Sequence, residues 1–239
     1  MSGGRAAVRT LLAVSEVRGA VDALERVLGE LEGTGVDAVA VVGDLGAEWE
    51  SRPLTYRTIF KLLGVAGRPA FWVPGPLDAP LGDYLRESYN LEVVYPFLHG
   101  VHGAFAFGPG PTIFAGMGGE IRDDPSTVRV EEYVVRYPAW EAEYRLKVLR
   151  ELPEHERVLL FATPPAHKGL RAPGSEALAE LVKTHNPRAV VVAGPEPREE
   201  RLGRSLVVCP GRLADGRYAL VDLRTLEVER RTVGERAPA

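Results

Sequence analysis

The chain has 239 residues, of which 45% are hydrophobic and 26% charged, and this composition is typical of a globular α/β protein with a sizeable core. A formal net charge of -4 argues against a nucleic-acid or anionic-membrane partner, and no apolar run approaches the roughly 18 residues of a membrane-spanning helix. The single cysteine, Cys209, excludes an intrachain disulfide and a cysteine-rich zinc site.

The residue usage and the first residues bear on the growth temperature of the organism and on the cellular compartment. The chain has no Gln and only two Met, so residues that heat damages are scarce, which is typical of a thermophile. A preference for Arg over Lys fits the same origin, and a GC-rich genome would produce it equally. The first five residues have no signal-peptide layout, so we expect a cytoplasmic protein.

Strands and helices alternate in the first half of the chain, which predicts βαβ units and a mostly parallel sheet. The predicted strands are Val8 to Val14, Ala38 to Val42 and Ala70 to Val73. The predicted helices are Val21 to Leu31, Pro53 to Leu63 and Ala79 to Tyr89. We expect Asp78 to cap the third helix at its N-terminus, with Pro80 in the first turn.

The second half begins with short strands separated by Gly and Pro, then a polar, irregular stretch from Ile121 to Glu132. Further strands are predicted at Ala104 to Phe107, Thr112 to Ala115, Val158 to Phe161, Ala189 to Val192, Leu206 to Val208, Tyr218 to Val221 and Leu226 to Arg230, the last two as a hairpin. Helices are predicted at Trp140 to Leu152 and Ser175 to His185. No linker divides the chain, so we expect one domain over residues 1–239, with a polar insert at about 120–153 and a frayed tail at 234–239.

Functional loops in open α/β sheets gather at the carboxyl ends of strands, and five such ends share a recognisable order. They are Ser15-Glu16-Val17-Arg18-Gly19, Gly43-Asp44-Leu45, Pro74-Gly75-Pro76-Leu77-Asp78, Ala162-Thr163-Pro164-Pro165 and Ala193-Gly194-Pro195-Glu196. This order resembles the calcineurin-like metallophosphoesterase superfamily, whose members carry D-x-H-G, G-D, G-N-H-D, H-x-P-P and G-H-x-H there. The resemblance covers nearly the whole chain and implies a four-layer α/β/β/α sandwich.

The resemblance also implies a chemistry that can be tested position by position. Members of the superfamily hold two divalent ions about 3.5–4 Å apart, which clamp a phosphate ester and activate a water. Glu16 stands in place of the first Asp, and Asp44 matches the bridging Asp. Arg18 replaces the next ligand, a His, and a guanidinium has no lone pair to offer a cation.

The remaining ligand positions are apolar. Pro76 and Leu77 replace the Asn and the acid His, Ala162 replaces another His, and Pro195 and Pro197 replace the last two. We therefore expect no dinuclear centre and no bound cofactor. A residual ion, if one binds, would be Mn, Fe or Zn at Glu16 and Asp44.

The surviving polar residues suggest a pocket for a small anionic or phosphorylated ligand. Arg18, Asp44 and Lys168 are candidate ligand contacts, and His167 is a candidate general acid or base. Alternatively, Arg18 merely neutralises a leftover carboxylate, Asp44 is a turn residue that bonds nearby backbone amides, and His167 is solvated. His102 is interpreted as structural or solvent-facing.

Three functions remain open on the sequence alone. The first is a phosphoesterase-like protein without the two-metal reaction that binds an anionic ligand. The second is an active hydrolase with one metal held by residues such as Glu16, Asp44, Glu120 or Glu196. The third is a nucleotide-binding or regulatory module. A helical surface with Tyr137, Trp140 and Tyr144 either packs on the domain or forms a homo-oligomer contact.

Overall fold

A computed structural model describes residues 7–31, 34–128 and 133–234. In chain order its strands are β1 (Thr10–Ser15), β2 (Ala38–Val42), β3 (Ala70–Val73), β4 (Leu98–Gly100), β5 (Ala104–Phe107), β6 (Thr112–Met117), β7 (Glu120–Arg122), β8 (Arg136–Pro138), β9 (Glu156–Phe161), β10 (Ala189–Val192), β11 (Arg198–Leu202), β12 (Ser205–Cys209), β13 (Arg217–Asp222) and β14 (Glu227–Thr232). The α-helices are α1 (Val21–Gly29), α2 (Arg52–Val65), α3 (Leu81–Val94), α4 (Ala139–Leu146) and α5 (Glu176–His185).

Most strands belong to two six-stranded sheets. The first has the order β14-β13-β1-β2-β3-β4, in which β1 to β4 are parallel and β13 and β14 are antiparallel additions. The second has the order β11-β12-β10-β9-β6-β5, with four parallel strands flanked by antiparallel β11 and β5. Because the central strands of each sheet are parallel, their carboxyl ends lie on the same edge.

Three apolar clusters define the layers. In β1, Leu12 faces the first cluster with α1, α2 and α3, whereas Ala13 faces the second cluster, between the two sheets. This alternation follows from the two-residue period of a strand. The third cluster joins the second sheet to α4 and α5, through Leu159, Ala142 and Leu178 among others. The predicted four-layer α/β/β/α sandwich is confirmed.

Several element boundaries differ from the prediction. The short strands β4, β8 and β11 were not expected, and α3 begins at Leu81 rather than Ala79. β11 is a largely exposed run of charged residues, Arg198–Leu202, that pairs with β12 through its backbone. Such an edge strand needs no apolar side chains, so its sequence lacks the pattern of a buried strand.

The polar insert is more ordered than its composition suggested. Glu120–Arg122 pairs in parallel with Arg136–Pro138 as a two-stranded ribbon, so the expectation of irregular structure from Ile121 is wrong at its start. The predicted helix at Trp140 to Leu152 is α4 followed by a 3-10 turn. Residues 129–132, and the predicted frayed tail beyond Gly234, lie outside the described residues.

The aromatic helix surface divides between packing and exposure. Leu146 and Leu149 are buried in the third cluster, and Tyr137 packs against it. Trp140 and Tyr144 are exposed, so a homo-oligomer contact on this face stays a prediction. Within the described ranges, no helix combines the length and the apolar character that a membrane crossing requires.

His102 is a half-buried structural residue whose ring is hydrogen-bonded at both nitrogens. Its Nδ1 accepts from the backbone amide of Gly118 at 2.9 Å, and its Nε2 lies 3.0 Å from the hydroxyl of Tyr137. Burial, with a smaller effect of Arg145, lowers the pKa of His102 to about 4. Between about pH 4 and 6.5 the imidazole of His102 is therefore neutral in the folded protein and protonated in the unfolded chain.

This pKa predicts an acid-dependent loss of stability. The pKa of His102 in the folded protein lies below its ordinary value. Its contribution to the free energy of unfolding is therefore present above about pH 6.5 and is lost as the pH falls towards 4, by up to about 3 kcal/mol. In the His102→Gln variant, the side-chain oxygen still accepts from Gly118 but does not titrate. We expect urea unfolding to show that the free energy of unfolding differs less between pH 4.5 and pH 7 in the variant than in the unmodified protein. An unchanged difference would contradict the assignment.

Candidate functional site

A cavity of about 550 Å³ lies where the predicted strand ends converge. It is lined by Glu16 and Arg18 after β1, Asp44 after β2, and, from the other three segments, Pro76, Leu77, Ala162, Thr163, Pro164 and Ala193. The ribbon of β7 and β8 contributes Glu120, Ile121, Arg122 and Arg136 to its outer part. All five segments of the resemblance therefore meet at one cavity.

The loop after β1 has an unusual backbone that directs two charged side chains into this cavity. Glu16 and Arg18 have φ values of 45° and 46°, the left-handed region that costs non-glycine residues roughly 1–2 kcal/mol each. The loop is held there because the Glu16 amide donates to Val42 at 3.1 Å and the Arg18 amide donates to Asp44 at 3.0 Å. Neighbouring β2 and its following turn thus impose the conformation.

Arg18 lies between the two candidate metal-ligating carboxylates. Its Nη2 atom is 3.1 Å from Oε2 of Glu16 and 3.3 Å from Oδ2 of Asp44. Both carboxylates are almost completely buried, with exposures of 3% and 6%, whereas the Arg18 side chain is 39% exposed. The guanidinium group is therefore the shared counter-ion of two acids that would otherwise repel each other.

A second arginine, Arg212, completes this network and was not predicted. Its Nε donates to Oε2 of Glu16 at 2.8 Å. This hydrogen bond raises the pKa of Arg212. Arg212 is 196 positions away from Glu16 in the chain and belongs to no strand-end motif. It follows β12, and a bridge between Ser15 and Arg212 brings it beside Glu16. Its position after a predicted strand was the signal that the sequence offered.

Asp44 makes one further contact, which explains its orientation. Its Oδ1 accepts from the Leu77 amide at 2.8 Å, a residue from the loop after β3. Burial raises the pKa of Asp44, with opposing contributions from this hydrogen bond and from Arg18. Asp44 therefore accepts one nearby backbone amide, and its two partners, Arg18 and Leu77, come from the loops after β1 and β3.

Asp78 is fully buried behind Asp44 and is not a helix cap. Its carboxylate accepts from the backbone amides of Leu45 and Gly46 at 2.9 Å and of Gly75 at 2.8 Å. The N-cap position of α3 is held by Pro80, so the predicted capping role is wrong. The turn after β3 directs Asp78 inward, where it joins the loops that follow β2 and β3.

Two glycines of the family pattern lie where the backbone leaves no room for, or disfavours, any other residue. Gly43 has a φ of 84°, which favours glycine. A Cβ at Gly75 would lie 2.1 Å from Oδ1 and 2.2 Å from the amide nitrogen of Asp44. The loops after β2 and β3 can touch only because residue 75 has no side chain.

The outer part of the cavity is also charged. Glu120 is held by Arg122 at 2.6 Å and by Arg136 at 2.7 Å. Asp123 accepts from the Ser175 hydroxyl and the Glu176 amide, both at 2.7 Å, and so caps α5. The sequence had suggested Glu120 as a possible metal ligand, but its carboxylate is committed to two guanidinium groups.

His167 and Lys168 do not line this cavity. They line a separate surface hollow with Glu199 and Glu200, and His167 Nδ1 lies 3.9 Å from Oε2 of Glu200. The Ala166 amide donates to the Ser175 carbonyl at 2.9 Å, which closes the base of the loop and leaves its tip on the β11 edge. The structure therefore does not bring these two candidates together with Arg18 and Asp44.

Comparison with known proteins identifies the ancestry. The family model described as metallophosphoesterase, calcineurin superfamily, matches residues 1–233. The chain belongs to this superfamily. The protein TT1561 of Thermus thermophilus has a similar crystal structure, with 45% identity, a TM-score of 0.88, and coverage of 95% of this chain and 100% of that one.

Other comparisons of this metallophosphoesterase-family protein show how far the likeness extends. A second crystal structure is 28% identical with a TM-score of 0.83, over 95% of this chain and all of the other. An archaeal phosphodiesterase is 10% identical with a TM-score of 0.52, over 93% of this chain and 99% of that one, and this shows a likeness of fold alone. No curated protein matches the chain.

The family's metal pair does not fit the residues present. Across the described ranges, no group of three His, Cys, Asp or Glu side chains is placed to hold a metal ion. Glu16 and Asp44 already share a guanidinium group that repels cations, and Leu77, Ala162 and Ala193 offer no donor side chain. Glu196, another proposed ligand, pairs with Arg217 at 2.8 Å instead.

Proposed function

We propose that this metallophosphoesterase-family protein lacks the two-metal hydrolysis of its superfamily and binds a small anionic, phosphorylated ligand in the 550 Å³ cavity. The observation that carries the proposal is the position of Arg18, within 3.3 Å of the two carboxylates that would otherwise ligate metal. A permanent cation there replaces the charge that divalent ions would supply.

The charge balance of the cavity supports an anionic ligand. Among the described residues, every acidic side chain that lines it has a donor. The donors are Arg18 for Glu16 and Asp44, Arg122 and Arg136 for Glu120, Ser175 for Asp123, and the Ser126 amide, at 2.9 Å, for Asp124. Arg171, by contrast, is exposed and has no charged or hydrogen-bonded partner in the described part of the chain. An arginine at a cavity wall with unused donors suits the oxygens of a phosphate.

The chemistry that remains favours binding over turnover. The acid His of the family pattern is Leu77, which has no proton to donate, and Arg18 holds both Glu16 and Asp44 in ion pairs. The protein would therefore act as a binding or regulatory component that recognises a phosphorylated metabolite by charge and shape.

One set of measurements tests the proposal. We expect protein purified and dialysed after growth with Mn to hold well under one ion per chain and to show no Mn-dependent turnover of bis-p-nitrophenyl phosphate. Inorganic phosphate should raise the melting temperature, and Arg171→Gln should weaken its binding about tenfold, the effect of losing one charged hydrogen bond. Arg204→Gln is the matched control, since Arg204 is exposed in the turn between β11 and β12, at the amino end of β12.

Each other outcome has a definite meaning. Metal-dependent turnover that Asp44→Asn abolishes would refute the proposal. One ion per chain, retained after dialysis and accompanied by turnover, would establish the one-metal hydrolase. Phosphate binding that Arg171→Gln and Arg204→Gln weaken equally would place the anion outside this cavity.

A further inference from the structure

A second cavity of about 230 Å³ adjoins the charged one. The two cavities share Pro164, Arg171 and Ala193 as wall residues. The smaller cavity lies at the carboxyl ends of β10 and β12, and its other walls include Leu170, Val192, Pro195 and Cys209. It is therefore a side chamber of the same strand-end region with a mostly apolar lining.

The thiol of Cys209 is part of this apolar wall. Burial raises the pKa of Cys209 to about 11, so the thiol stays neutral at physiological pH and behaves as a small apolar group. A Cβ at Gly194 would lie 2.8 Å from Cys209 Sγ. The glycine thus leaves space in front of the sulfur that any larger residue would occupy.

Among the charged residues around the small cavity, some have a partner and one does not in the described part of the chain. Glu196 is paired with Arg217, and Arg198 donates to the Gly169 carbonyl at 3.4 Å. Arg171 belongs to both cavities and has no such partner within the described ranges. It is therefore the free cation at the junction of a charged space and an apolar one.

We propose that the ligand carries a ring-sized apolar group on its phosphate, with the ring in the small cavity and the phosphate in the large one, beside Arg171. A dry apolar cavity of roughly 150 Å³ accommodates benzene, so a chamber of 230 Å³ has room for a single ring with its linking atom. This inference rests on the proposed function, because it names the ligand class of the same site. Aryl phosphates are the simplest compounds of that class.

The direct test compares phenyl phosphate with methyl phosphate by calorimetry on the unmodified protein. Burial of one ring predicts a preference for phenyl phosphate of about ten- to hundredfold. Equal affinities would overturn the inference and leave the proposed function standing, since phosphate would still bind. Binding of neither compound would overturn both.

A cavity-filling variant tests whether the preference for phenyl phosphate arises in the small cavity. Cys209→Leu should reduce it at least about fivefold while inorganic phosphate binds as before, because the added carbons occupy the ring's space. Ala66→Leu is the matched control: it fills a cavity of about 270 Å³ between α1 and α2, far from the strand ends. If the preference survived in folded Cys209→Leu, or fell equally in both variants, the ring would not lie beside Cys209. If Cys209→Leu did not fold, the comparison of phenyl and methyl phosphate would still decide.

Discussion

Replacing Asp78 by alanine should lower the free energy of unfolding by about 4 kcal/mol. Asp78 is completely buried, and its carboxylate accepts from the amides of Leu45, Gly46 and Gly75. Alanine would leave three amides without acceptors, two buried and that of Gly46 partly buried, at a cost of roughly 1–3 kcal/mol each. Rearrangement or entering water would recover part of that cost. Chemical denaturation measures the difference directly.

Asp124→Ala is the matched control for this prediction. Asp124 also accepts a backbone amide, that of Ser126 at 2.9 Å, but it is exposed in a turn. Water can replace the lost acceptor there, so we expect a loss below about 1 kcal/mol. Similar losses in the two variants would contradict the role assigned to Asp78 in joining the loops after β2 and β3.

The effect of Asp78→Ala should also depend on pH. Burial, with a further contribution from the nearby charge of Asp44, raises the pKa of Asp78 to about 7. The contribution of this group to the free energy of unfolding is therefore fully present below about pH 3.9 and is lost as the pH rises through 7. The loss of stability should be larger at pH 5 than at pH 8, and equal losses at the two pH values would contradict the raised pKa.

Replacing Arg18 by alanine should cost about 2 kcal/mol and should create a response to divalent cations. Removal of one partner from a buried ion pair typically costs about 3–5 kcal/mol, but Arg18 is 39% exposed and solvent screens its charge. Glu16 also keeps Arg212. The two carboxylates would then face an open space, so millimolar Mn²⁺ should raise the melting temperature of the variant and not that of the unmodified protein.

Arg57→Ala provides the control for Arg18→Ala. Arg57 is an exposed arginine paired with a buried carboxylate, Glu87 at 2.9 Å, but within the described ranges it pairs with no second carboxylate. Its loss should destabilise the protein without producing a Mn²⁺ response. If Mn²⁺ stabilised neither variant, or both alike, Arg18 would not stand in the place of a cation.

The individual strands were predictable from the sequence because each buried strand is an apolar run, whereas the sandwich that they form was implied by the family resemblance. Strands such as Ala38–Val42 and Ala70–Val73 lie at the predicted residues, since each is an uninterrupted apolar run in a sheet covered on both faces. Parallel strands then place their following residues on one edge, which is why Glu16, Arg18 and Asp44 could be expected in a single cavity. The replacement of metal-ligating residue types was equally visible, because a guanidinium or a proline has no lone pair to offer in any conformation.

Only the tertiary structure decided which partners these residues have. Arg212 reaches Glu16 from across the chain, Asp78 turns inward to the loops of two strands, and His167 lies on the β11 edge away from the cavity. The side chamber beside Cys209 likewise arises where loops from separate strands leave a gap. The period of a sequence specifies which face of a strand or helix is buried, whereas the direction of a loop depends on hydrogen bonds to residues that are distant in the chain.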